Sequence, residues 1–412
     1  MGTASAERGN NHRSFWAFVV ASAAVGAAAG ALPVILAFAV LDVTRSAADL
    51  GVVLAVQAVT SLGLSLLGGV VADRHALRRL LVGSVLLRLA VAAGFAAVLL
   101  AGRAQLWELL AVAVGYGFAD SVYTPASSAV LPRLVATDGL RAANSTLTST
   151  SSLSALLAPA AAGGVIALGG VGFGFVADAA AMAIAALALL AVIIPPPPAH
   201  QPPETFPASS LLDDLRHGWR EFRGRGWLWG LTLQWAVYAL AVLGPVTVIG
   251  PVLAKKHLGG AAAWGLIATS LGLGLIGRAI AVGRLRLRRP ALVVAAVVLV
   301  LPAEAAALAV GAPLGLVIAA ATLTGVATGI VTVTTQATMQ RNVPAAVLAR
   351  VSAFDLVGSE VTLPLGYALA GVVAATSETG PVLLIGSGML WMISVAVIAM
   401  PAVRSLRESG SE

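Results

Sequence analysis

Twelve apolar stretches follow one another almost without interruption from Phe15 to Val403, at roughly 15–41, 50–72, 78–101, 105–131, 140–168, 171–194, 227–253, 261–283, 290–310, 313–337, 346–375 and 380–403. At about 1.5 Å of rise per residue, each can cross the roughly 30 Å hydrocarbon core of a bilayer as one helix. The expected fold class is therefore all-α and integral to the membrane, with twelve transmembrane helices. Composition agrees, since 59% of the 412 residues are hydrophobic and 10% charged, where soluble domains carry about 25% charged residues. The first stretch, Phe15 to Leu41, is too long and uninterrupted for a signal peptide, so it is expected to remain as the first span.

Several chemistries drop out. With no cysteine, disulfides, thiolate metal sites and cysteine catalysis are excluded, and the five His residues show no close pairing that would hold a metal. The formal charge of +7 does not signal nucleic acid, because the basic residues are spread over short loops rather than gathered in a patch. They report topology instead. With both termini in the cytoplasm, 19 of the 25 Lys and Arg residues are cytoplasmic, while Arg45, Arg103, Lys255 and Lys256 are external and Arg88 and Arg278 lie within spans. That bias fixes orientation and supports an even number of spans. No Gly-x-x-x-x-Gly-Lys followed by Ser or Thr occurs, so an ATPase is not expected; the chain is expected to be no enzyme and to need no cofactor.

A shift of 208 residues superimposes Gly69 on Gly277, Arg78 on Arg286, Arg133 on Arg341, Leu140 on Leu348 and Gly163 on Gly371. Two duplicated six-helix bundles are the expected domains, 1–194 and 227–412. Between them, 195–226 opens with Pro195-Pro196-Pro197-Pro198, an extended spacer. Leu211, Leu215, Trp219 and Phe222 follow at helical spacing, as in an amphipathic helix lying on the membrane surface, or else in a solvated linker.

Between the second and third stretches lies Asp73-Arg74-His75-Ala76-Leu77-Arg78-Arg79-Leu80, with Gly69 one turn earlier. This pattern resembles the loop 2–3 signature of the major facilitator superfamily of secondary transporters. The resemblance implies a conformational latch made by Gly69, Asp73, Arg74, Arg78 and Arg79, in which the acid faces the N-terminus of the eleventh helix near Pro344. Ala76 stands where the family usually has glycine, and the second half has Ala281 in place of Asp73, so the turn is expected to be less tight and the latch asymmetric. The plainer alternative is a set of topology-setting arginines beside one solvated acid. In the fifth stretch, Pro159, Gly163 and Gly164 resemble the Gly-Pro-x-x-Gly-Gly motif of superfamily exporters, although an alanine-rich span with one proline also arises from packing alone. Tyr123 to Val135, Leu140 to Asn144, and Gln340-Arg341-Asn342-Val343-Pro344 resemble the subgroup that contains macrolide-efflux proteins and the enterobactin exporter. The acid that this subgroup often carries on the first helix is missing near Gly26-Ala27-Ala28.

Ionisable groups at the bilayer centre cost about 2.5–3.5 kcal/mol on insertion scales unless they face a cavity or a partner. Asp120, 13 residues before Arg133 and 17 after Arg103, lies near mid-depth on the fourth helix. In the fold implied by the resemblance, helices one, four, seven and ten line the central cavity. Asp120 is thus the first candidate for proton coupling, with a structural pair to Arg88 as the alternative. Glu360 and Asp355 on the eleventh helix are the next candidates, and Glu304 and Asp178 follow because helices nine and six are peripheral in that fold. Tyr116, Tyr123, Gln234, Trp235 and Tyr238 are the candidate substrate-cavity residues, since Trp and Tyr present apolar faces with a polar handle.

The expected function is a monomeric, proton-coupled exporter of an amphiphilic small molecule, such as a drug, antibiotic or siderophore-like compound, working by alternating access in a bacterial inner membrane. A nutrient importer or uniporter of the same fold is the alternative, and a non-transporting receptor is the third.

Overall fold

The structure, a computed structural model, describes residues 2–74, 76–135, 137–194, 208–282, 288–376 and 379–406, without the side chains of 2–11, 65–74, 137, 208–215, 278–282, 346 and 376. Twelve long helical spans succeed one another, with no strand among the described residues: Gly2–Val43, Ala47–Arg74, Leu77–Leu100, Leu106–Ser128, Leu140–Gly169, Val171–Leu190, Gly226–Leu258, Ala261–Val282, Pro290–Ala309, Leu314–Asn342, Val347–Ala375 and Thr379–Ala399. Ten of these are long and apolar enough to cross a membrane. The fourth and eighth have 23 and 22 residues. The fourth is less apolar because its second half carries Asp120, Ser121, Thr124, Ser127 and Ser128. Leu187, Ile385 and Met392 are exposed, as befits a multi-pass chain whose surroundings are lipid rather than water.

Prolines explain where the long helices deform. Pro245, Pro302 and Pro364 lack an N–H and clash with the carbonyl four residues back. Near these points the seventh span opens into a π turn at Ala239–Leu243, the ninth tightens to a 3-10 turn at Val298–Val300, and the eleventh pauses between Glu360 and Leu363. Ala76, the residue before the third span, sits at φ −63°, ψ 117°, a conformation open to any L residue, so this position needs no glycine.

The chain divides into two units, Met1–Gln201 with Ala254–Thr269, and Pro202–Leu253 with Ser270–Glu412. In the first, the first helix packs on the fifth and sixth, the second on the fourth, and the third on the fourth and sixth. The second unit repeats this pattern, with the seventh helix on the eleventh and twelfth and the ninth on the tenth and twelfth. Helix starts at Leu106 and Leu314, and at Val171 and Thr379, are each 208 residues apart. Gly117 and Gly325, separated by the same interval, each mark a close crossing. A Cβ on Gly117 would lie 2.9 Å from the Gln57 carbonyl oxygen, and one on Gly325 would collide with the Leu271 carbonyl. Small residues at such points let two backbones touch.

The linker forms a helix at Ala208–Gly224 that packs on the first half of the eleventh span, Ala345–Glu360. Trp219 and Phe222 stack at 5.8 Å, and both reach Phe354, at 5.6 and 6.3 Å. A Cβ on Gly218 would sit 3.0 Å from the Phe354 ring and the Arg350 Cβ. Phe222 is therefore committed to protein packing rather than to a membrane surface, whereas Trp219 stays 48% exposed. The Leu211 and Leu215 side chains lie outside the described residues. A 2.7 Å pair between Arg225 Nη1 and Glu221 Oε2 closes the last turn, and this hydrogen bond holds the Glu221 carboxyl below its ordinary range. Phe354→Ala removes the ring on which both aromatics rest, at a cost of about 1–2 kcal/mol for a half-buried site. The expected result is faster trypsin cleavage at Arg216, Arg220 and Arg223. An unchanged cleavage rate at these three arginines would show that the ring does not hold the linker helix.

Candidate functional site

Four helices of the second unit line an open-sided cavity of about 360 Å³. The seventh supplies Leu231, Thr232, Gln234 and Trp235, and the ninth supplies Val294 and Val298. The tenth contributes a stripe running from Val331 through Thr332, Thr335, Gln336 and Met339 to Gln340. The eleventh adds Leu348, Ser352, Asp355, Leu356, Ser359 and Glu360. The stripe follows from helical spacing, since polar side chains at i, i+3, i+4, i+7 and i+8 share one face. Thr232 Oγ1 donates to Asp355 Oδ1 at 2.5 Å, joining the seventh and eleventh helices across the cavity wall. Gln234 Nε2 donates to the Ala295 carbonyl at 3.0 Å and to Ser394 Oγ at 2.7 Å. A backbone carbonyl only accepts, which fixes the amide orientation. Gln234 Oε1 is buried and has no partner among the described residues.

The first unit holds a buried charge cluster. Arg88 on the third helix places Nη1 3.2 Å from Asp120 Oδ1 on the fourth and Nη2 3.5 Å from Asp178 Oδ1 on the sixth. Tyr116 Oη donates to Asp178 Oδ2 at 2.6 Å, and its ring centroid lies 4.6 Å from the guanidinium carbon. Arg88 and Asp178 are buried, whereas the Asp120 side chain is 37% exposed. One cation thus faces two carboxylates. Binding of one proton by the cluster would balance its formal charges.

The fifth helix makes a close crossing at the exporter-like motif. A Cβ on Gly163 would meet the Ala261 carbonyl oxygen, and one on Gly265 would meet the Pro159 carbonyl. The Ala160 N–H donates to Thr269 Oγ1 at 3.0 Å. Gly164 by contrast faces open space. All of these contacts lie within the first unit, which includes Ala254–Thr269.

The model of the Major Facilitator Superfamily matches residues 14–358. The chain belongs to the Major Facilitator Superfamily. Membership makes it a membrane transporter rather than an enzyme. Among solved structures, a point mutant of the nucleoside transporter NupG superposes with a TM-score of 0.72 at 14% identity, over 94% of this chain and 100% of that one. An auto inhibited POT family peptide transporter gives 0.69 at 14% identity, covering 97% and 98%. An inward-facing, unoccupied bacterial homolog of the human lysosomal transporter Spinster gives 0.62 at 15% identity, covering 94% of each. At such identities these likenesses concern the fold. A search of curated proteins gave no match.

Of the candidates named from the sequence of this superfamily member, Gln234, Trp235, Asp355 and Glu360 come together in the cavity. Tyr238 does not line it, and instead sits buried against Trp235 at 5.1 Å between ring centroids. Tyr116 is a correction, because it is fully buried with its hydroxyl on Asp178 and offers no surface to a substrate. Tyr123 packs against the core around Phe18, Leu81 and Leu189. Asp120 takes the Arg88 pairing, and Asp178, ranked low for its peripheral helix, completes that cluster. Arg78 Nη2 donates to the Leu190 carbonyl at 2.5 Å, satisfying an end of the sixth helix, and Arg79 is exposed. The side chains of Gly69, Asp73 and Arg74 lie outside the described residues. Thr332, Thr335, Gln336 and Gln340 were missed, although their spacing on an otherwise apolar helix was a readable signal.

The two glycines of the fifth helix make opposite predictions. Gly163→Val should force the crossing apart and lower stability by about 1–3 kcal/mol, while Gly164→Ala should stay within about 0.5 kcal/mol of the parent. Thermal unfolding in detergent measures both, and equal melting temperatures would contradict the crossing.

Proposed function

We propose that this chain is a proton-coupled exporter of an amphiphilic small molecule, working as a monomer by alternating access in a bacterial inner membrane with both termini in the cytoplasm. The observation that carries the reading is the cavity, where Trp235, Leu231, Val298 and Leu356 give an apolar wall and Asp355, Glu360 and the tenth-helix amides and hydroxyls give polar handles. Such a lining suits a molecule with an apolar body and a few polar groups. The fifth-helix motif, with its close crossing at Gly163, supports export over import.

Proton coupling is assigned to Asp120. Its carboxylate is partly exposed and shares Arg88 with Asp178. Protonation of Asp120 leaves a balanced Arg88–Asp178 pair, and deprotonation leaves one surplus negative charge, so the same site can be stable with and without its proton. Asp120→Asn is permanently neutral. It should abolish accumulation driven by a pH gradient in proteoliposomes while still permitting downhill exchange, and Glu360→Gln should have a weaker effect. Full uphill transport by Asp120→Asn would make the carboxylate structural.

Asp73 acts in this proposal as the latch toward the eleventh helix, favouring one conformation by its differential interaction. Asp73→Asn should slow turnover with expression and insertion unchanged. Parental turnover in this variant would remove the latch.

A further inference from the structure

The cavity of the second unit carries two carboxylates and, among its described lining residues, no cation. Asp355 and Glu360 both line it, and neither is in an ion pair among the described residues. No Lys, Arg or His occurs among its described lining residues. Gln234 adds an independent sign. It lines the cavity and is 1% exposed, its Nε2 is turned to the ninth and twelfth helices through Ala295 and Ser394, and its Oε1 has no partner among the described residues. A buried acceptor without a donor is costly, and such groups in native structures commonly await a ligand, an ion or a water.

We infer that the cavity recognises a protonated amine carried on an apolar body, with the ammonium N–H groups donating to Asp355, Glu360 and the Gln234 Oε1. This deepens the transport reading and rests on it. Charge alone does not meet the demand, because a quaternary ammonium brings a cation but no N–H and leaves Gln234 unpaired. A neutral amide or alcohol brings a donor without compensating the carboxylates. An anionic ligand such as a deprotonated siderophore would face two carboxylates with no cation among the described lining residues, an arrangement that costs binding. The apolar side, with Trp235 and Met339 among its residues, accommodates a hydrocarbon or aromatic body.

Dansylcadaverine tests this directly, because it joins a fluorescent aromatic body to a primary amine. Its binding to the purified protein in nanodiscs is measured beside its N-acetyl derivative, which lacks the charge, and its N-trimethyl derivative, which lacks N–H donors, with empty nanodiscs correcting for partition. The expected order is amine tightest, trimethylammonium weaker by about threefold or more, and N-acetyl weaker by about tenfold or more. Asp355→Asn and Glu360→Gln should each weaken amine binding by about tenfold. Absence of saturable dansylcadaverine binding, or equal affinity for the amine and its N-acetyl derivative, overturns the inference. So does parental affinity in both carboxamide variants. The ligand series on the unaltered protein keeps the test decisive if a variant fails to fold. Counterflow of dansylcadaverine in proteoliposomes separates this inference from the transport reading. Charge-selective binding without movement would sink export and leave the amine site, whereas movement without discrimination between amine and N-acetyl would sink the amine site and leave transport.

Discussion

Inside hydrocarbon no water is available to satisfy a polar group, so each one must find its partner within the protein. Helices meet this demand for the backbone, and the hydroxyls follow suit. Thr60, Thr322, Thr332 and Thr338 each donate to the carbonyl four residues earlier in their own helix. Arg88 meets it at its two terminal nitrogens, which draw Asp120, Asp178 and Tyr116 from two other helices into one cluster, while its Nε has no partner among the described residues. Gln234 Oε1 has no partner among the described residues, and Gln234 lines the cavity that Asp355 and Glu360 also line, with no cation among the described lining residues.

Lipid offers no hydrophobic gain for bringing helices together, so close van der Waals contact has to supply much of it. The contacts at Gly117, Gly163, Gly265 and Gly325 put one helix backbone against another with no room for a side chain. Gly117 and Gly325 lie 208 residues apart and each marks a close crossing within its own unit, so the same physical requirement recurs at that interval. Gly164, adjacent to one of these points but facing open space, shows that the requirement belongs to a position in the crossing rather than to a glycine-rich motif as a whole.

The first half of the eleventh span has two tasks in the second unit. Asp355, Leu356 and Glu360 line the cavity, while Phe354 carries the aromatic pair of the linker helix. The linker is thereby anchored to the helix that holds the cavity's acids, and a tether between halves becomes a packed element of the second unit. Pro364, four residues past Glu360, ends this helical stretch, so the acids occupy the segment before the break.

The amino-acid sequence by itself determined the helices and their order, because spans of fixed length in an apolar solvent leave few choices and prolines and charges mark the ends. It also pointed to a duplication, read from Gly69, Arg78, Arg133, Leu140 and Gly163 at one shared offset, and it brought Gln234, Trp235, Asp355 and Glu360 forward as candidates. The tertiary structure decided which of those residues meet. Asp120 and Asp178 are 58 positions apart in the chain, and nothing in their spacing says that one arginine on a third helix lies between them. The orientation of Tyr116 toward Asp178 rather than a cavity, and of Phe222 toward Phe354 rather than a membrane surface, depends on how helices rotate and cross. Periodicity shows which residues share a face. The neighbour that covers the face is set by packing among segments distant in sequence, and that information resides in the fold.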